Sequence, residues 1–409
     1  MKTLPRIVIV GSSFAGYTAA LKLAHEFKAG SRDAGAEITV ISNTDVFTFM
    51  PSLIWVPFGL RTRDDVTFAL RPRLEKAGVK FVEETATSFD LKSRRVATAH
   101  GGFDYDYLLI GTGPKLNFEA VPGLGPDRNG TKGNTHSICS IDHAEHAHEA
   151  WLRLLKDPGP VIVGAVQGAS CFGAAYEFVL NFAYQIKRHK LTDKVPITYV
   201  SSEPFLGHFG IGGFGAGQKL TEMFFKKMGI ASRVNATVDH VESDHVVMGD
   251  GERLPYKFAM LIPSFRGVDA VAQTPGLGNA AAMIETDDGY QTRADSRAYA
   301  AGVAVAVTAP GKTPVACGVP KTGYLTEEMA KTAAHNIGAD ILDGKKVELP
   351  FASIDAKCIL DAGNSGVIMT ADHILEPRDH AWLIPGPEAH WAKLAFEAYF
   401  MATRKHGIV

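Results

Sequence analysis

Apolar residues in this chain gather into short runs that end on glycine. Ile7-Val8-Ile9-Val10 precedes Gly11-Ser12-Ser13-Phe14-Ala15-Gly16, and Tyr17 to Phe27 follows without a breaker. This reads as strand, tight turn and helix. Glu37 to Ile41 is the next strand, and Tyr105 to Ile110 closes on Gly111-Thr112-Gly113-Pro114-Lys115. A second strand, turn and helix runs from Val161 to Arg188 through Gly164-Ala165-Val166-Gln167-Gly168-Ala169-Ser170-Cys171-Phe172-Gly173, and a strand Ile197 to Glu203 follows it. Ala298 to Val305 has the character of a buried strand. Strands alternating with helices predict an α/β protein built on parallel sheets. Residues 1–135 with 290–345 are expected to form one discontinuous nucleotide-binding domain, 136–289 its inserted sibling, and 346–409 a C-terminal region. A loop of five glycines, Gly207 to Gly215, interrupts the inserted unit. It signals flexibility or close backbone approach.

The two glycine turns differ in a way that bears on chemistry. In the first, Ser13 stands for the central glycine of G-x-G-x-x-G, while Gly11 and Gly16 keep the tight turn and the close helix contact. The strand after it ends in Ser42-Asn43 instead of the acid that grips a ribose. In the second, Val166 and Gln167 fill the turn, and Cys171 lies near the helix start, where the dipole is expected to favour a thiolate. Bare backbone for a pyrophosphate is thus spoiled and a thiol supplied.

Composition narrows the classes. With 409 residues, 46% hydrophobic and 21% charged, the chain is ample for two or three units with large cores. A net charge of −2 argues against nucleic acid as a partner. No apolar run reaches bilayer length, and Met1 to Arg6 leads into a strand with no cleavable signal region. The cysteines at 139, 171, 317 and 358 show no C-x-x-C pair and no zinc spacing, so no metal site is expected. Their blandest role is packing as small hydrophobes. After Pro387, residues Glu388 to His406 read as a helix with a wide apolar surface, a Lys393–Glu397 i,i+4 pair and a basic end. Such a helix either docks on the core or lies in a membrane surface.

At this point the chain resembles the sulfide:quinone oxidoreductases, flavoproteins of the two-dinucleotide-binding-domain superfamily. The resemblance rests on His136-Ser137-Ile138-Cys139-Ser140-Ile141-Asp142-His143-Ala144, on Gly168 to Glu177 around Cys171, on Pro320-Lys321-Thr322-Gly323-Tyr324, and on Cys358 in Lys357 to Gly363. It implies two Rossmann-like, glutathione-reductase-like domains, the first holding FAD, and a C-terminal helical region interacting with the membrane. It also implies that Cys171 and Cys358 hold a redox sulfur bridge across the flavin, with Cys139 as a third family cysteine. Lys321 would lie at the flavin pyrimidine edge. Gly11, Ser13, Phe14, Ala15, Gly16, Ser42, Asn43, Pro51, Ala86, Thr112, Gly113, Gly302 and Gly323 are the other expected cofactor positions. Cys317 is assigned no role beyond packing.

Hydrogen sulfide is then the expected donor and a membrane quinone the acceptor, since Val166, Gln167 and Cys171 obstruct a nicotinamide site. His143, His208 and Glu177 are candidates to move protons. Ile359, Phe396, Tyr399 and Phe400 are candidates to hold the quinone ring. The expected protein is peripheral to the membrane, on an undetermined face, and able to form homo-oligomers. Rival readings are a type II NADH:quinone oxidoreductase, which needs a working nicotinamide site, the flavin subunit of a cytochrome-linked sulfide dehydrogenase, and a catalytically silent flavin or sulfur carrier.

Overall fold

The computed structural model describes residues 4–29, 35–127 and 130–406. Met1–Thr3, part of the start read for a signal, lie outside the described residues. The first run forms β1 (Arg6–Val10), the turn leads into α1 (Phe14–Ala29), and β2 (Glu37–Ser42), β3 (Lys80–Glu83) and β4 (Tyr107–Ile110) follow. Next come α2 (Ile141–Lys156), β5 (Val161–Ala165), α3 (Phe172–Arg188), β6 (Ile197–Ser201), α4 (Gly217–Met228), β7 (Ile230–Arg233) and β8 (Phe258–Ile262). The chain then passes through β9 (Ala298–Ala300) and α5 (Gly323–Leu342). It ends in β10 (Ala356–Asp361), β11 (Gly366–Ala371), β12 (Ala381–Gly386) and α6 (Pro387–Lys405).

Two parallel sheets result. One has the order β9-β4-β1-β2-β3, the other β7-β6-β5-β8. Their central strands are apolar at every position because both faces are covered: Ile7 to Val10, Tyr107 to Ile110 and Val161 to Ala165 are all buried. β1 and β5, each leading into a glycine turn, sit at the middle of their sheets, so both turns open at the C-terminal strand edge.

Three expectations shift. The strand read from Ala298 to Val305 ends at Ala300, because Gly302 adopts φ +76° and starts a 3-10 turn, Gly302–Ala304. The strand read to Glu203 ends at Ser201. The C-terminal region contains a three-stranded antiparallel sheet, β10-β11-β12, before its helix. α6 packs on all three strands, and α3 packs on β10. Among the described residues no helix is long and apolar enough to cross a membrane.

Candidate functional site

The first turn is built of backbone. Gly11 has φ +98°, and a Cβ there would lie 2.3 Å from the Gly111 carbonyl oxygen; one on Gly16 would lie 1.8 Å from the Gly11 carbonyl oxygen. A Cβ on Gly302 would meet the Thr326 methyl at 2.8 Å, and one on Gly323 the Phe14 ring at 2.8 Å. These contacts force α1, the loop after β4 and the start of α5 into one glycine-lined cradle, with Ala15, Thr112 and Gly113 beside it. The first turn of α1 points backbone N–H groups with no intrahelical partner at this cradle. Ser12 donates to the Ser42 hydroxyl at 2.7 Å, closing the end of β2, while Asn43 beside it is exposed. Pro51 opens a 3-10 helix, Met50–Phe58, and Ala86 starts a strand just beyond β3. A cradle that any Cβ would fill fits a dinucleotide such as FAD.

Lys321 precedes α5 and donates to the Val305 carbonyl at 2.8 Å. Burial pulls its ammonium down to about 8. An anionic group placed beside it would be stabilised and would hold the proton on.

The second turn is filled by the chain itself. Gln167 donates to the Val238 carbonyl at 2.9 Å and accepts from the Val238 N–H at 3.0 Å. Gly168 N–H donates to the Ala316 carbonyl at 2.7 Å, and Gly318 N–H returns a bond to Ala169 at 2.8 Å. Cys317, in that same segment, has its sulfur 3.6 Å from the Ser202 hydroxyl and 3.6 Å from the Val315 carbonyl oxygen.

Cys171 is the N-cap residue of α3, near the helix start as expected, but burial works against the expected thiolate. Burial pushes its thiol up to about 12, with nearby Cys139 adding to the shift. Cys358, opposite Met369 in the C-terminal sheet, is likewise pushed up to about 12, first by burial and then by Glu177, with Cys171 contributing. Cys139 rises to about 11, again by burial. The structure thus brings Cys171 within electrostatic reach of both other cysteines. Desolvation outweighs the helix dipole, whose effect is about 0.3–1 kcal/mol at exposed sites and up to about 2 kcal/mol when partly buried. All four cysteines are free thiols.

Behind the cysteines lies a buried polar network that the sequence did not reveal. Glu177, on α3, accepts from Lys393 of α6 at 2.6 Å and from the Asp361 N–H at 2.8 Å. Burial raises its carboxyl above the usual range, opposed by Lys393. The fully buried Asp361 accepts from Trp55 at 3.0 Å and bonds His390 of α6 at 2.7 Å. Lys393 and Glu397 therefore do not pair with each other. Glu397 accepts from Ser52 at 2.5 Å and Arg61 at 2.8 Å. Nor is the whole basic end of α6 superficial, because Arg404 is buried against Glu327 at 2.7 Å.

The proton candidates separate. His143 has its N–H on the Ser140 hydroxyl and its ring edge-on to Phe118. His208 sits in the glycine loop, accepts from Gly210 N–H at 3.2 Å, and is pulled down by burial. Glu203, just past β6, is fully buried. It accepts from Tyr176, Ser201 and the Phe209 N–H at 2.7–2.9 Å, and burial pushes it up to about 7.

The quinone candidates divide as well. Phe400 is 4% exposed and packs with Phe14, Phe47 and Phe49, so it belongs to the aromatic core and is not free to sandwich a ring. Phe396 touches Phe49 and Phe400 and is partly exposed, whereas Tyr399 is 67% exposed. Ile359 lies on the sheet face opposite Cys358, in register with Ile368 and Ile384. Trp382 at 63% and Trp391 at 65% exposed extend this apolar surface.

The pyridine nucleotide-disulphide oxidoreductase family matches residues 5–319. The sulfide-quinone reductase of Aquifex aeolicus is 36% identical over 98% of this chain and 91% of its own length. The mitochondrial sulfide:quinone oxidoreductase of Dictyostelium discoideum is 29% identical over 49% of this chain and 43% of its own. The X-ray structure of the Aquifex aeolicus sulfide:quinone oxidoreductase superposes with a TM-score of 0.92 at 35% identity, covering 99% of this chain and 92% of that one. NDH2 of Plasmodium falciparum shares the fold at 14% identity and a TM-score of 0.70, covering 100% of this chain and 99% of that one.

Proposed function

The chain belongs to the pyridine nucleotide-disulphide oxidoreductases and, among them, to the sulfide:quinone reductases, and from that premise we propose how its own residues divide the work. It is an oxidoreductase that takes electrons from hydrogen sulfide and delivers them to a quinone, with FAD as cofactor. FAD, when bound, supplies an acceptor for a pair of electrons from sulfur and a donor of the same pair to quinone. The glycine cradle of residues 11–16, 112–113, 302 and 323 would hold it, and Lys321 would provide a positive charge beside it.

The observation that carries the assignment is the placement of Cys171, at the N-cap of α3, and Cys358, on β10, partly buried and within electrostatic reach of one another. Thiols held near 12 are poor nucleophiles at neutral pH, because the thiolate is the reactive form. Sulfide itself must then be the attacking group, and the cysteines must present an oxidised bridge for it to open. Attack leaves a persulfide on one cysteine and frees the other sulfur. Glu177, with its raised carboxyl and its Lys393 partner next to Cys358, is placed to hold or pass the proton released. Cys139 lies near enough to Cys171 to help raise its thiol. The exposed Trp382, Ile384, Trp391 and Tyr399 form the surface that meets the membrane, from which quinone reaches Phe396 of α6 and Ile359 of β10.

Anaerobic sulfide is expected to bleach the visible flavin band and a soluble quinone to restore it, while NADH leaves the band unchanged. Bleaching by NADH and not by sulfide would overturn the assignment.

A further inference from the structure

The helix α6 is amphipathic in reverse, turning Trp391, Phe396 and Tyr399 outward and burying Lys393, Glu397 and Arg404. Each buried charge meets a counter-charge: Lys393 on Glu177 at 2.6 Å, Glu397 on Arg61 at 2.8 Å, Arg404 on Glu327 at 2.7 Å. His390 is held differently. Its Nδ1 donates to Asp361 Oδ1 at 2.7 Å, and among the described residues no group bonds its Nε2. The side chain keeps 23% of its surface open, so water reaches it.

Asp361 is fixed in turn. Trp55 Nε1 donates to its Oδ2 at 3.0 Å and the Gly363 N–H does so at 3.2 Å. A fully buried carboxylate thus orients the ring and places a proton on Nδ1. That leaves Nε2 as the atom able to take up or give a second proton. Asp361 and Ile359 lie on one face of β10, two residues and about 7 Å apart along the strand, and α6 packs on that strand. The dyad therefore adjoins the surface on which quinone is placed, whose Ile359 and Phe396 have no proton to give.

The proton balance calls for a donor there. Sulfide entering as HS⁻ releases two electrons and one proton when its sulfur is oxidised, whereas quinone takes up two of each. The sum is HS⁻ + Q + H⁺ → S + QH₂, with S as sulfane sulfur; one O–H bond forms at each quinone oxygen, and one of the two protons comes from water. We propose that His390 is a catalytic residue of quinone reduction, passing a proton from Nε2 to a quinone oxygen and recovering it from water, with Asp361 as its positioning residue. The proposal rests on the sulfide:quinone reading and on quinone lying at Phe396 and Ile359. The charged groups around His390 are Asp361 on β10, Lys393 one turn along α6 and, bonded to Lys393, Glu177 on α3. The last two are committed to each other.

The test takes holoenzyme reduced anaerobically by sulfide and mixes it either with a soluble quinone, which needs protons, or with ferricyanide, which takes electrons alone. His390→Asn keeps an amide donor for Asp361 but has no proton to pass. It is expected to be bleached by sulfide and reoxidised by ferricyanide at parental rates, and to be reoxidised by quinone about 10²-fold more slowly. His390→Ala should show the same loss, partly restored by imidazole in the buffer, and it serves as the test by itself if the first variant does not fold. Quinone affinity, read from quenching of tryptophan fluorescence, should match the parent in both. Parental reoxidation by quinone in a folded variant overturns the proposal and leaves His390 as a tie between α6 and β10. Equal slowing with quinone and ferricyanide, or a slowing accounted for by weaker quinone binding, overturns it too. A parent that sulfide does not bleach, or that quinone does not restore, overturns the functional reading and the proposal with it.

Discussion

The turns after β1 and β5 occupy the same place in two similar parallel sheets and have been put to opposite uses. After β1, Gly11 and Gly16 leave bare backbone, and a side chain added at either would strike a carbonyl oxygen. After β5, the corresponding N–H groups are spent internally, Gly168 on Ala316 and Ala169 on Val166, and the Gln167 side chain is tied to the Val238 backbone. The ends of the neighbouring strands repeat the contrast. β2 ends in the Ser42–Asn43 pair at the cradle, whereas the acid beyond β6, Glu203, stands where a nucleotide site would grip a ribose but is buried among Tyr176, Ser201 and Phe209. One turn keeps its donors for a ligand. The other has absorbed them and delivers a thiol instead.

Substituting one residue in each turn should therefore break different properties. Cys171→Ala is expected to keep FAD and lose sulfide-driven bleaching by on the order of 10³-fold or more, as removal of a covalent catalyst does. Gly16→Ala should do the reverse, losing FAD because its Cβ would sit 1.8 Å from the Gly11 carbonyl oxygen. Flavin content after desalting and single-turnover bleaching read the two effects separately. A flavin-replete Gly16→Ala protein, or a Cys171→Ala protein with parental bleaching, would erase the contrast.

Glu203 gives the next largest effect. It titrates near 7 in the fold and near 4.5 in the open chain. Between those values the folded protein binds the proton that the unfolded chain does not, so lowering the pH from 7 toward 4.5 stabilises the fold through this group. The contribution is about 3 kcal/mol, taking about 1.4 kcal/mol per pKa unit. Denaturant titrations at pH 7.5 and pH 5 should show the parent gaining about 2 kcal/mol relative to Glu203→Gln, the part of the contribution that falls between those two pH values. Parallel pH profiles for the two proteins would mean that Glu203 is ionised in the fold like a surface carboxylate.

The contrast between the turns was legible in sequence because it is local. Val166, Gln167 and Cys171 interrupt a pattern whose period and glycine positions are set within a dozen residues, and the order of strands and helices followed from the same periodicities. Partners far apart in the chain were not legible. Lys393 reads as half of an i,i+4 pair until α6 is packed on β10, where Glu177, 216 residues away, takes its ammonium. The thiol of Cys171 looked activated because the helix dipole can be inferred from position, whereas burial, which dominates, depends on the packing of other segments around it. β10 to β12 were not legible for a third reason: six-residue strands have little periodic signal, and β12 also ends in Pro385 and Gly386.

Gln167 offers the smallest and most discriminating change. Its amide makes two hydrogen bonds with Val238, so Gln167→Ala should cost about 1–3 kcal/mol, measurable as a lowered urea midpoint. If the second turn were a nucleotide site blocked by one side chain, the same substitution would let NADH bleach the flavin. The structure leads to the opposite expectation. With Gln167 gone, Gly168 N–H would still be held by Ala316 and Glu203 would still be buried under the glycine loop, so neither the pyrophosphate nor the ribose would find its donors or acceptor. NADH-driven bleaching in Gln167→Ala would show that a single plug separates the two turns. Its absence in a folded, flavin-replete variant would show that the second turn has been rebuilt around its cysteine from several sides at once.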